Sequence, residues 1–382
     1  MSARRIGGAG QAGQSPSSPG TCHSALFSST SRSTAASSSA LSSVKQDPPE
    51  RRAVNGSIYL TVSPGRQVGL FAARSLLQGD RILAEAPLCT LNSPGDLTSV
   101  LEDARASFYA LANAYADDGH TSAERGIFDT NAFSLSPSPT AARTPSASPR
   151  YGIFPCSSRL NHSCRPNVKA SYSPSTGLLV THVLRPVLPD EELLTSYLGG
   201  PALYGTSTAA RCARLAEGWA FACSCEVCSL GPTSPERRAS DARRAELGAL
   251  HARLPGVRPL DAAQTLRDCA RALALLEAEG LAVDGVEAFA LPAARACAWH
   301  EDWRAARVWV ALGWESGRRA YGVKSPVEQM LRAAKDRPAG LVPAGVKGEK
   351  GGLLKVTREA LGERAMEVER GGQSWLSRLF RD

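Results

Sequence analysis

Polar and apolar positions alternate through Ser57-Ile-Tyr-Leu-Thr-Val62, the period of a half-buried strand, and Pro64-Gly65 then supplies a turn. Gly69–Ala72 and Arg81–Glu85 continue in the same way, parted by the turn signal Gln78-Gly79-Asp80. Strand patterns return at Val168–Tyr172 and Leu178–Leu184, with Ser173-Pro-Ser-Thr-Gly177 as the hairpin turn between them. Short strands joined by tight turns predict a β-rich domain. Between the two strand groups, residues 98–117 set Val100, Leu101, Phe108, Tyr109 and Leu111 at helical spacing and predict one or two inserted helices. Residues 134–150 read as a Pro/Ser/Thr/Ala loop, too poor in hydrophobes to order itself. The β domain, residues 57–230, therefore straddles an insertion at about 91–150. From Pro235 the period changes to that of helices, with runs at Ser240–Leu254, Ala262–Glu279 and Glu287–Arg319, so residues 236–335 are predicted to form an α-helical domain. Residues 336–382 are expected to be a partly disordered tail in which only Leu354–Met366 and Ser374–Phe380 look helical. The fold class this implies is α+β.

Composition alters the picture mainly at the N-terminus. Residues 1–56 are Ser-rich, contain no acid before Asp47 and read as a disordered basic tail. A basic, acid-free start of this kind leaves two destinations open: a plain tail on a protein of cytoplasm and nucleus, which is the expectation, or a mitochondrial transit peptide. No secretory apolar core interrupts it, so the cysteines are expected to be thiols or metal ligands. No run of about 18 apolar residues is present, and no membrane partner is expected. The net charge of +8 is scattered rather than gathered into a basic block, a weak signal for nucleic acid.

Three segments carry candidate chemistry. Cys223, Cys225 and Cys228 place three thiols on one tight loop after Trp219 and Phe221. Zinc takes four tetrahedral ligands, and Cys164 is the candidate for the fourth; chance clustering or a redox pair is the competing reading. The other cysteines are scattered singly and read as small buried hydrophobes. The second segment is the polar, turn-rich Ser158-Arg-Leu-Asn-His-Ser-Cys-Arg-Pro-Asn167, and the third is Asp190-Glu-Glu-Leu-Leu-Thr-Ser-Tyr197. Taken alone, Asn161-His162 is an ordinary capped turn and Tyr197 a packing residue.

In order, these segments resemble the SET-domain lysine methyltransferases, and most closely the SET-and-MYND branch, over residues 57–335. Asn161–Asn167 looks like the family's Asn-His-Ser-Cys-x-Pro-Asn motif, Glu191–Tyr197 like its Glu-Glu-Leu-x-x-x-Tyr segment, and Phe221–Cys228 like its post-SET zinc loop. Pro64–Ala72 is similar to its opening Gly-x-Gly-x-Gly-Leu strand, and Thr130–Phe133 to a segment whose Asn meets the cofactor. Gln67 and Asp190 stand where the family commonly has Gly, and only Cys89 lies between Glu85 and Ile127, so the MYND zinc finger is missing. Trp303–Arg307 and Tyr321–Pro326 resemble the branch's helical-repeat domain.

The resemblance implies a SET domain with a pseudoknot, S-adenosylmethionine as cofactor, one structural zinc, and a monomeric enzyme that methylates a lysine of a protein substrate, histone or not. It assigns catalysis to Tyr197, the channel walls to Trp219 and Phe221, and cofactor binding to Arg66, Val68, Asn131, Asn161, His162, Tyr197 and Phe221. Cys164, Cys223, Cys225 and Cys228 become the zinc ligands. The alternative is a catalytically inactive SET-like module that recruits partners through its helical domain.

Overall fold

A computed structural model of the chain describes residues 50–91, 105–135, 151–254, 261–343 and 351–369. The greater part of the N-terminal tail, Val100 and Leu101, most of the 134–150 loop and the helix expected at Ser374–Phe380 lie outside the described residues.

Strands β1 (Arg52–Ala53), β2 (Ile58–Val62) and β3 (Val68–Ala72) form an antiparallel sheet. β1 falls inside the segment expected to be tail: Arg52 pairs with Leu60, so the folded unit starts earlier than its hydrophobic alternation does. Alternation is also imperfect within β2. Ile58 and Tyr59 are both buried while Val62 is exposed, because Tyr59 is covered by Phe71, Arg51 and Asp190. A second sheet has the order β4 (Arg81–Glu85), β10 (Leu178–Val183), β9 (Val168–Ser173), the last two forming the expected hairpin. Ile58, Leu70, Ile82, Leu160, Val168, Val183 and Leu193 pack between these sheets as one apolar core.

The insertion contributes α1 (Arg105–Tyr109) and α2 (Ala123–Asn131), which pack on a small sheet of β5 (Cys89–Leu91), β6 (Phe133–Ser134) and β7 (Tyr151–Ile153). Two short strands remain, β8 (Asn161–His162) and β11 (Leu194–Thr195), which pair with each other.

The helical part begins sooner than its apolar period suggests. α3 (Pro201–Tyr204) and α4 (Thr208–Trp219) were not expected; Pro201 at a helix start and Ser207, whose hydroxyl accepts from Ala210 N, are the local signals for them. α5 (Pro235–Arg253) starts at Ser234-Pro235, an N-cap followed by Pro at the first turn, rather than at Ser240. α6 (Ala262–Ala278) lies where its period places it. The run expected as Glu287–Arg319 is two helices, α7 (Glu287–Trp299) and α8 (Trp303–Tyr321). Glu301 turns the chain with a φ of 54°, and Asp302 restarts it by accepting from Ala305 N. α9 (Pro326–Asp336) was also unexpected, although Ser325-Pro-Val-Glu328 is a capping signature. The segment 354–366 divides into α10 (Leu353–Leu361) and α11 (Glu363–Glu369) at Gly362, whose φ is 58°. These last helices are docked rather than loose: Leu353, Leu361 and Ala365 are buried, and Trp309 Nε1 donates to Thr357 Oγ1 at 3.1 Å.

Successive helices pack on their neighbours, and the core they share runs on into the β domain through Cys164, Leu184 and Leu198. Where α8 lies against β9 and β10, Lys169 Nζ meets Asp284 Oδ1 at 2.5 Å and sits 4.7 Å above the Tyr321 ring. Tyr321 in turn donates to Glu287 Oε1 at 2.6 Å.

Candidate functional site

β8 runs parallel to β11, with Asn161 opposite Leu194 and His162 opposite Thr195. The chain just before β11 is bonded to β3 instead: Leu193 N donates to Leu70 O at 2.7 Å, and Ala72 N donates to Glu191 O at 3.0 Å. Asn167 fixes the crossing, its Nδ2 donating to Glu192 O at 2.8 Å while its Oδ1 accepts from Leu194 N at 2.7 Å. Residues 191–195 thus join β3 to the Asn161–Asn167 stretch, and three segments separated in sequence meet at one place.

At that place the Glu192 carboxylate lies between two partners. Oε1 accepts from Asn161 Nδ2 at 2.7 Å, and Oε2 is 3.5 Å from Arg66 Nη1. Gly69 makes room for this: a Cβ there would stand 2.6 Å from Glu192 Oε1 and 3.1 Å from Asn161 Nδ2. Val68 opens β3 beside it, half-buried and opposite Val62. Of the family's two missing glycines, Asp190 takes up the left-handed backbone that Gly would supply, at φ 64°. Its carboxylate, held by Tyr59 Oη at 2.7 Å and Arg51 Nη1 at 2.9 Å, compensates locally. Gln67 has no positive φ, so its position does not require Gly.

Tyr197 follows β11 and is ringed by aromatic neighbours: Trp219, His162 and Phe221 have centroids 5.2, 5.3 and 6.1 Å from its own. Trp219 ends α4, and Ala220 then takes a left-handed φ of 54°, a costly conformation for a residue with a Cβ, which turns Phe221 back toward His162. The Tyr197 hydroxyl donates to Leu160 O at 2.9 Å. Burial pushes its pKa up, Arg66 pulls it down and Glu192 pushes it up again; the net is upward, so the group is a neutral phenol at physiological pH. With its hydrogen committed to Leu160, the oxygen offers lone pairs as an acceptor.

His162 links this aromatic box to the cysteines. Its Nδ1 accepts from Tyr197 N at 3.1 Å, which puts the ring proton on Nε2, and Nε2 faces Cys164 Sγ at 3.5 Å. Cys164, Cys223, Cys225 and Cys228 have sulfurs all within 4.8 Å of one another. The Cys164–Cys228 separation of 3.6 Å is far beyond a disulfide bond of about 2.05 Å. It matches the edge of about 3.8 Å that follows for a tetrahedron of sulfurs at about 2.3 Å from zinc. Among the described residues every cysteine is free. Four thiols converging at this spacing could hold a metal ion, and an all-thiol set of four suits zinc.

Nearly all the candidate residues are therefore gathered into one continuous arrangement. Asn131 is the exception. Its Nδ2 donates to Ala112 O and Ile127 O, both at 2.7 Å, so its amide hydrogens brace α2 against the preceding loop, while its main-chain carbonyl accepts from Ser158 Oγ at 3.2 Å. Sequence reasoning overlooked Glu192, although it lies inside the recognised Glu191–Tyr197 segment. It also missed the buried Arg211 and Arg244, which both reach Cys164 and had no local signal. Cys212, expected to be a small buried hydrophobe, is only partly buried.

The family model of the SET domain matches residues 67–198, the stretch that holds the crossing, Asn161, Glu192 and Tyr197. Residues 67–198 are thus similar to a SET domain, and a helical region follows them. Over 196 residues it is 31% identical to the histone-lysine N-methyltransferase set5 of Schizosaccharomyces pombe, covering 50% of this chain and 56% of that protein. It is 37% identical over 78 residues to the potential protein lysine methyltransferase SET6 of Saccharomyces cerevisiae, 20% of either chain. A histone-lysine N-methyltransferase SET5 of Meyerozyma guilliermondii is 38% identical over 90 residues, 23% of this chain and 18% of that protein. The chain spans about half the length of the first of these relatives, 56%, and smaller parts of the others. Among the described residues no helix is long and apolar enough to cross a membrane.

Proposed function

We propose that this chain transfers methyl groups from S-adenosylmethionine to a lysine side chain of a protein substrate, histones being the first class to test given the names of its relatives. The observation that carries this reading is the joint placement, inside the SET match, of a Glu192–Asn161–Arg66 cradle and an aromatic box around Tyr197. The cradle offers a carboxylate and a guanidinium side by side, matching the ammonium and carboxylate of a methionine head group. When bound, the cofactor would supply an electrophilic methyl to the lysine amine's lone pair, with the S–C electron pair left on sulfur and the amine proton passing to solvent.

The chain's own residues have three tasks. Asn161, Arg66 and Glu192 hold the head group, with Val68 and the main chain of His162 beside them, while the Asn131 main-chain carbonyl accepts from Ser158 Oγ. Trp219 and Phe221 exclude water, and a desolvated ammonium loses its proton more readily, which favours the nucleophilic free amine. Tyr197, neutral and with its own hydrogen turned to Leu160, presents an acceptor that aligns the amine N–H and the polarised methyl C–H. It need not act as a base.

In the same reading Cys164, Cys223, Cys225 and Cys228 hold one structural zinc. Tying Cys164, three residues from Asn161, to the loop after Phe221 pins both walls of the cleft. The helical region after the cysteine loop is what supports placing the chain with the SET-and-MYND branch; a monomer of cytoplasm and nucleus is proposed from the sequence alone. The test is methyl transfer from methyl-labelled S-adenosylmethionine by the purified chain, against core histones and a cell lysate, with Tyr197→Phe as control. Labelled protein that vanishes in the control supports the reading, and absence of any S-adenosylmethionine binding overturns it.

A further inference from the structure

Arg211 is a fully buried guanidinium, at 0% exposure, without a carboxylate bonded to it among the described residues. Its Nε donates to Cys164 Sγ at 3.3 Å, its Nη1 to Thr206 O, and its Nη2 to Thr208 Oγ1 at 3.1 Å. Asp241 reaches it only through the Thr208 hydroxyl, which donates to Asp241 Oδ1 at 2.8 Å. Arg244, equally buried, is a useful contrast. Its Nε is paired with Glu279 Oε2 at 2.7 Å, leaving Nη2 to donate to Cys164 O at 3.1 Å. One of the two buried cations is thus matched by a bonded carboxylate and the other is matched by sulfur.

A buried charge is costly unless an opposite charge meets it. Four neutral thiols offer Arg211 none. Four thiolates around a divalent zinc carry a net charge of −2, and one of those thiolates, Cys164, receives both Arg211 Nε–H and His162 Nε2–H. We propose that Arg211 is the buried counter-charge of the zinc-tetrathiolate site, holding its metal by neutralising Cys164, a task no comparison assigns to it. The inference rests on the zinc reading above. It also explains why α4 sits where it does: one turn of helix carries Thr208 and Arg211 under the cluster, and the C-terminal end of the same helix delivers Trp219 to Tyr197. Metal retention and the aromatic wall then depend on a single element.

The experiment uses the full chain, its Arg211→Gln and Arg211→Lys variants, and two readouts that do not require turnover. The first is the rate at which zinc passes to an excess of a chelating dye. Loss of an outer partner of a metal ligand weakens a site by about 10- to 100-fold, so Arg211→Gln should release zinc faster by that factor and Arg211→Lys by less. The second is the sulfur-to-cobalt absorption of the Co(II)-substituted chain. Removing a cation and a hydrogen bond from one thiolate raises its donor level, so the band should move to longer wavelength in Arg211→Gln. A folded Arg211→Gln chain with the parent's release rate and the parent's band overturns the proposal. Should that variant fail to fold, Arg211→Lys decides: release faster than the parent's but slower than that of Cys223→Ser supports the proposal, and release at the parent's rate refutes it. A parent chain without zinc would instead sink the zinc reading itself, so the two failures are distinct.

Discussion

Gly69→Ala is the smallest change that should disable the proposed cofactor cradle without touching a polar group. The new Cβ would lie 2.6 Å from Glu192 Oε1, 3.1 Å from Asn161 Nδ2 and 3.2 Å from Phe71 Cε2. Gly69 has no left-handed φ, so the backbone accepts alanine and the effect is steric only. The tightest neighbour is the far end of a flexible side chain, so the strain is relieved by moving Glu192 rather than β3. To reach an ordinary contact of about 3.4 Å the oxygen must retreat by about 0.8 Å. A retreat of that size stretches the 2.7 Å bond to Asn161 to about 3.5 Å, beyond useful hydrogen-bond range. A hydrogen bond to a charged group is worth about 1.5–3 kcal/mol, and partial exposure of the pair places this one near the lower end. The expected result is a folded chain whose affinity for S-adenosylmethionine, measured by titration calorimetry, falls by about tenfold. Gly199→Ala, where a Cβ meets nothing within 4 Å, serves as the neutral control. Parental affinity in Gly69→Ala would show that the Glu192–Asn161 pair plays no part in binding.

Tyr197→Phe removes the oriented oxygen and should slow methyl transfer by about 10² to 10³ while S-adenosylmethionine still binds; full activity would return Tyr197 to the status of a packing residue. Cys223→Ser leaves three thiolates, so metal analysis of the purified chain should give well under one zinc per molecule, and undiminished zinc would remove Cys223 from the site. His182, 6% exposed and with Nδ1 unpartnered, has its pKa pushed down to about 4 by burial and then by Arg81. As pH falls the unfolded chain takes the proton first, so this contribution is full above about pH 6.5 and is lost toward pH 4, about 3 kcal/mol in all. Urea unfolding across that range should show a shallower pH dependence in His182→Leu, and an unchanged slope would mean that His182 is solvated in the native state.

Much of the β domain was legible in the chain because its signals are local. The strands at 69–72, 81–85 and 178–184 and the Ser173–Gly177 turn lie where alternation and turn chemistry place them, within a residue or so. Errors arose where a cap or a φ outweighed the hydrophobic period, as at Glu301-Asp302, Ser325-Pro326 and Gly362. The Asp190 substitution looked like a defect in the sequence, whereas its neighbours Tyr59 and Arg51 make it a tolerated stand-in for Gly.

By itself the sequence determined which residue types were available to react: the three thiols of the 223–228 loop with Cys164 as a candidate fourth, the Asn161–Asn167 motif and the terminal Tyr197 of its segment. It could do so because motif order and ligand spacing are properties of the chain. Only the tertiary structure decided which groups share charge. Glu192 between Asn161 and Arg66, His162 between Tyr197 and Cys164, and Arg211 beneath the cysteines are separated by 31 to 126 residues in the first pair of contacts, 35 and 2 in the second, and 47 in the third. Burial is what gives these contacts their strength, since a charge removed from water must find its partner wherever the fold has brought one.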